Sequence, residues 1–113
     1  MERMNSHRAV VRRLLECHAE SARRADSGEV ESDLVVSPAL DRFVLVETGW
    51  AGGRRVNHVH LHVRLKGDKI WIEDDWTETG LATELVAAGV PKEDIVLGFQ
   101  PPERRHLTEF AVA

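Results

Sequence analysis

The spacing of apolar residues changes along the chain, first helical and then alternating. Met4, Val11, Leu14, Leu15, His18 and Ala22 recur at helical intervals, while Arg12, Arg13, Glu16, Glu20 and Arg23 fill the rest of the circumference. This predicts a helix from a cap at Asn5 to about Arg24, with Glu20 and Arg24 one turn apart as a favourable ion pair. Asp26-Ser27-Gly28 ends it. Val30, Leu34 and Val36 then share one parity around Ser32, which predicts a strand broken by Ser37-Pro38. Phe43 to Thr48, rich in β-branched and aromatic residues, predicts a second strand closed by Gly49, with Trp50 and a flexible Ala51-Gly52-Gly53 turn after it.

The clearest alternation runs from Arg55 to Lys66. Val59, Leu61, Val63 and Leu65 interleave with His58, His60, His62 and Arg64, and Gly67-Asp68 is a favoured two-residue hairpin loop leading to a fourth strand, Lys69 to Glu73. A tight loop sets the register. Leu65 should face Ile70 and Val63 face Ile72 on the apolar side. Arg64 should face Trp71, His62 face Glu73, and His60 face Asp75 on the other. Thr77-Glu78-Thr79 leads into a second helix over Gly80 to Ala88 that buries Leu81, Ala82, Leu85 and Val86. Gly89 is placed to end it in a left-handed conformation, with Val90 as the accompanying apolar contact and Pro91 barring continuation. Pro91 to Asp94 reads as a turn, Ile95 to Phe99 as a short strand, and Pro101-Pro102 as the start of a tail. The expected architecture is therefore α+β: a single two-layer domain, residues 1–113, with a mostly antiparallel four- to five-stranded sheet and helices packed on one face.

Composition narrows the function classes. With 113 residues there is room for one core, and the formal net charge of −4 is not that of a non-specific nucleic-acid binder, which gains affinity by neutralising phosphates. Arginine pairs at 12–13, 23–24, 54–55 and 104–105 lie near acidic residues or on solvated faces. No apolar run approaches the roughly 20 residues of a membrane helix. The charged N-terminal segment is unlike a secretory signal, and the single Cys17 allows no internal disulfide, so a cytoplasmic location is expected.

The histidine strand offers the first candidate chemistry. His60, His62 and Glu73 are the residues a zinc ion would use there, but alternate side chains on a flat strand diverge. A polar sheet face, with a His62–Glu73 ion pair and Arg64 stacked on Trp71, accounts for the same pattern, and no metal or cofactor is expected. Asp74 points away from Glu73 and Asp75, which removes a magnesium cluster. Cys17 and His18 are helical neighbours that do not face each other, and the glycines match no phosphate loop. No catalytic residue is assigned, and the chain is expected not to be an enzyme. Trp71 on the face away from the helices calls for cover, and tryptophan with arginine marks protein interfaces.

From Gly49 onward the chain resembles the XisI family, named for control of excision of the fdxN DNA element. The resemblance rests on Gly49-Trp50, Arg54-Arg55-Val56, His62, Gly67 to Ile72, Asp75-x-Thr77-Glu78, Gly89 to Phe99, Pro102, Arg105 and Phe110-Ala111-Val112, with Val10-Val11 and Leu14-Leu15 in the opening helix. The family's usual tyrosine near His7 and small residue at Trp76 are missing, and His58 and His60 lie outside its pattern. The resemblance implies a regulatory protein acting with an XisH-like partner of nuclease-like fold, in DNA rearrangement performed by a separate recombinase. The partner surface expected here comprises Trp50, Arg54, Arg55, His62, Arg64, Trp71 and Glu73, and homo-oligomerisation through the same face is expected as well. An antitoxin-like inhibitor of that partner and a direct DNA-binding excision factor are the alternatives.

Overall fold

The structure is a computed structural model that describes residues 2–25 and 28–113. Helix α1 (Glu2–Ala25) is followed by β1 (Val30–Ser37), β2 (Arg42–Ala51), β3 (Arg54–Lys66), β4 (Lys69–Asp75), α2 (Leu81–Ala87) and β5 (Ile95–Leu97). Short 3-10 helices occupy Lys92–Asp94 and Pro102–Leu107. The five strands form one sheet in the order β1-β2-β3-β4-β5, antiparallel throughout except for the parallel β4–β5 pair. That pair needs a crossover, which α2 supplies. The α+β class, with one mostly antiparallel five-stranded sheet, is as expected.

Both helices pack on one sheet face. Val11, Leu15 and Ala19 of α1 and Leu81 and Leu85 of α2 share a core with Leu45, Leu61, Val63, Ile70, Ile72 and Ile95. Burying a side chain of this size contributes about 1.5–3 kcal/mol each before entropy is counted. The helix begins before the expected cap: Asn5 lies inside α1 and accepts a hydrogen bond from Arg8 Nη1 at 3.0 Å. An apolar stripe starting at Met4 needs a turn of helix ahead of it, which is why the start moves upstream. Asp26 and Ser27, expected to end α1, lie outside the described residues. Glu20 and Arg24 do pair, at 2.6 Å. Arg8 also grips the β1–β2 loop, donating from Nε at 2.7 Å and Nη2 at 2.9 Å to the two carboxylate oxygens of Asp41. That fork holds the Asp41 carboxyl below the usual carboxylate range.

The β3–β4 hairpin turns where expected, and the β2–β3 hairpin does not. Gly67 (φ 59°) and Asp68 (φ 63°) form the two-residue turn, and Leu65–Ile70, Arg64–Trp71 and Val63–Ile72 pair as the sequence predicts. β2, however, does not stop at Gly49. It runs on through Trp50 to Ala51, and Gly52-Gly53, both with positive φ, make the turn. Gly49 stays in the ladder because its missing side chain lets the Glu29 carbonyl lie against it; Trp50 N donates to that oxygen at 3.1 Å.

Two β-bulges break the alternation. In β2–β3, Leu45 pairs with Leu61 but Val46 with Val59, leaving His60 as the extra residue. In β3–β4, Val63 pairs with Ile72 but His62 with Asp74, leaving Glu73 as the extra residue. Beyond the first bulge, Glu47–His58 and Gly49–Val56 continue the helix-side face of Leu45–Leu61, and Val46–Val59 the opposite face. At the free edge of the sheet, β1 pairs on one side with β2, and Arg23 of α1 donates to the Ser32 carbonyl at 3.0 Å.

The α2 end matches the expected glycine cap: Gly89 has φ 100°, its N–H donates to Val86 O, and Val90 N donates to Leu85 O, each at 3.0 Å. The start is held from a distance. Asp75 Oδ2 accepts from Leu81 N at 2.7 Å, while its Oδ1 accepts from Thr77 N and Oγ1. Asp75 therefore organises the loop into α2 instead of facing His60, and it pairs in register with Leu61.

Candidate binding surface

The sheet face turned away from α1 and α2 carries alternate residues of β2, β3 and β4. Near the β4 side, Arg42 and Arg64 lie directly across from one another in register. Like charges at that spacing repel. Glu73 relieves them: the bulge swings it beside Arg64, whose Nε lies 2.5 Å from Glu73 Oε2 as an ion pair without the alignment of a hydrogen bond. The expected His62–Glu73 pairing is thus replaced by His62–Asp74 and Arg64–Glu73, because the bulge shifts β4 by one residue. Arg42 Nη1 approaches His62 Nε2 at 3.2 Å. A guanidinium only donates, so that nitrogen accepts and the neutral ring carries its proton on Nδ1.

Burial first, then Arg42, holds the His62 imidazolium below its ordinary range, with Glu73 opposing. On acidification the unfolded chain takes up the proton before the folded one does. The stabilising contribution is full above the ordinary value of 6.5 and declines as pH falls from there toward the folded value. His62→Gln should therefore flatten the stability–pH curve just below 6.5, measured by urea denaturation at several pH values. A curve parallel to the parent's would remove His62 from the acid response.

Trp71 sits at the edge of this cluster, with Arg64 5.6 Å, Lys66 5.1 Å and Arg105 5.2 Å from its ring centroid. Its cover comes from the chain itself. Arg105 arrives on the C-terminal segment, donating to Gln100 O and Gly98 O, and that segment bridges to β5 through Ala111–Val96. Sequence reasoning missed Arg42 and Arg105. Arg42 was legible as the residue sharing parity with Val44 and Val46, whereas Arg105 reaches the sheet only through tertiary folding.

At the other end of the face, Trp50 is 55% exposed and has Arg55 stacked 5.6 Å from its centroid. Arg54 is exposed beside the turn. Between the two ends lie Val44, Val46 and Val59, each half-buried, with Val35 of β1 53% exposed. The expected surface residues thus divide into a cationic cluster of His62, Arg64, Trp71 and Glu73 and a hairpin-tip group of Trp50, Arg54 and Arg55, joined by a valine strip.

The metal candidates His60, His62 and Glu73 are not brought together. His62 and Glu73 are engaged with Arg42 and Arg64, while His60 belongs to the opposite side of the sheet. There, Glu47, His58 and His60 present ligand atoms within 4.8 Å of one another.

Fold and surface together define an α+β protein built on one sheet, helices on one face and a half-apolar, cation-edged second face. The model of the XisI protein family matches residues 1–112, and the chain belongs to that family. The crystal structure of a XisI-like protein from Anabaena variabilis ATCC 29413 superposes with a TM-score of 0.90 at 33% identity, covering 96% of this chain and 97% of that one. The fdxN element excision controlling factor XisI from the same organism gives 0.81 at 32% identity, covering 98% and 99%. No curated protein matches the chain. Among the described residues no helix is long and apolar enough to cross a membrane.

Proposed function

We propose that this chain is a non-enzymatic regulatory protein that acts by docking an XisH-like partner of nuclease-like fold on the open sheet face. The observation that carries the reading is that face itself: a valine strip with exposed Val35 and Trp50, bordered on the β3–β4 side by Arg42, Arg64, Lys66 and Arg105 beside Glu73 and Asp74, and on β1 by Glu31 and Asp33. An apolar strip with a cationic border along its β3–β4 side suits a partner with apolar anchors and acidic residues facing that side. The family relation to an excision controlling factor supports a role in regulated DNA rearrangement.

Co-expression with an XisH-like protein tests it. The parent chain should co-purify at a fixed ratio, and the double variant Val35→Glu, Trp50→Ala should lose the complex while keeping its circular dichroism, since both side chains are more than half exposed. Undiminished capture by that variant would reject this face as the docking surface. Growth arrest by the partner alone, relieved by co-expression, would give the docking an inhibitory purpose. A salt-sensitive shift of duplex DNA by the isolated chain would replace the reading with direct DNA binding.

A further inference from the structure

On the helix-bearing side of the sheet, a groove of about 910 Å³ runs between the C-terminal half of α1 and the overhanging ends of β2 and β3. Glu47 and His60 line it, and His58 stands beside them to complete a cluster that the docking face does not use. On a regular strand, His58 and His60 would lie two positions apart and diverge. The bulge at His60 changes this: it bends the strand and brings both imidazoles to the carboxylate of Glu47, the register partner of His58. His60 Nδ1 lies 3.2 Å and His58 Nε2 3.8 Å from the same oxygen, Glu47 Oε1.

We infer that Glu47, His58 and His60 form a three-ligand site for one divalent transition-metal ion of zinc-like preference, open toward the groove. The spacing suits it. Metal–ligand bonds of about 2.0–2.1 Å in a tetrahedron separate the donor atoms by roughly 3.3–3.4 Å, a value the two Glu47–histidine distances bracket. Two imidazoles with one carboxylate are a donor set for zinc and its first-row neighbours, not for calcium or magnesium, which take oxygen ligands. The charge balance also suits it. Among the described residues, Glu47's charged contacts are these two histidines, with no lysine or arginine paired to it. With both rings neutral, as metal binding requires, one carboxylate charge stands uncompensated.

The surroundings hold the ligands in place. Trp76 packs its ring edge-on against His58 at 5.6 Å, and Trp76 N donates to the His60 carbonyl at 3.0 Å, fixing the bulge. The side chains of Glu47, His58 and His60 are 27%, 38% and 29% exposed, so a hydrated ion can enter and at least one position stays open to water or to a donor group in the groove.

Zinc chloride titrated calorimetrically into the untagged full chain, stripped with chelator, should show one saturable site per chain. His58→Ala and His60→Gln should each weaken it by more than the roughly ten- to hundredfold that outer-shell changes cost, while His62→Ala leaves it unchanged. Substitution by Co²⁺ gives a readout independent of any variant: visible d–d absorption that saturates at the same ratio, with paramagnetic broadening of the His58 and His60 ring resonances. Absence of saturable binding by the parent overturns the site. So does binding that survives both substitutions, or broadening confined to other histidines.

Discussion

His7→Ala should lower the unfolding free energy by about 3 kcal/mol, because it leaves a buried carboxylate without its partner. His7 is 5% exposed on α1 and Asp94 7% exposed in the 3-10 helix ahead of β5, with His7 Nε2 3.1 Å from Asp94 Oδ2. Residues 87 positions apart are thereby tied together, fastening the start of the first helix to the crossover that feeds the last strand. Arg3 cannot substitute: its Nε lies 3.9 Å from the same oxygen, on a side chain 62% exposed to water. A surface cation of that kind is worth about 0–1 kcal/mol. The double variant His7→Ala, Asp94→Ala should be less destabilised than the two single costs added, since it removes the stranded charge along with its partner. Urea denaturation of the four proteins measures this. Strict additivity would show that the pair is not a coupled unit.

Gly49→Ala should cost a similar amount for a steric reason. A Cβ at Gly49, where φ is 151°, would stand 2.0 Å from Glu29 O and 2.8 Å from Val30 Cα. Both obstacles are backbone, so no rotamer change relieves the contact, and the start of β1 must move off β2. Overpacking of this severity costs about 3 kcal/mol, which lowers Tm by roughly 10 °C or more in a domain of this size. Gly98 is a useful contrast. A Cβ there would meet Glu73 Oε1 at 2.1 Å, but that is the tip of a flexible side chain. Gly98→Ala should therefore be milder, displacing Glu73 from Arg64 and softening the cationic cluster. Differential scanning calorimetry of the two variants ranks them; an equal loss at both would show that Glu73 is as rigid as backbone.

The elements were legible because their signals are local. Alternation found β3, a two-glycine turn and Gly67-Asp68 marked the hairpin ends, and Gly89-Val90-Pro91 announced how α2 stops. The bulges were not legible. His58 through Val63 alternates without a flaw, and nothing in it says that His60 is the residue left unpaired; that depends on where β2 places Leu45 and Val46. The consequence for the site was large, because one unpaired residue sends His58 to the helix side and Val59 to the open face. His7 escaped for a different reason. The helical stripe omitted it, although His7 falls between Met4 and Val11 at helical spacing and is as buried as Val10. Glu47 was similarly invisible as a partner of histidines, since its neighbours come from a strand whose register the bulge resets.

The outer edge of β1 bears on resistance to aggregation. An unpaired strand edge is a template onto which another strand can add, and sheets that leave one bare are prone to grow into fibres. Here the edge is obstructed twice. Arg23 occupies the Ser32 carbonyl that an incoming strand would need, and Glu31 and Asp33 on either side place two carboxylates along the same stretch. A second copy aligned there would bring its own carboxylates against them. Lateral growth at this edge is thereby disfavoured.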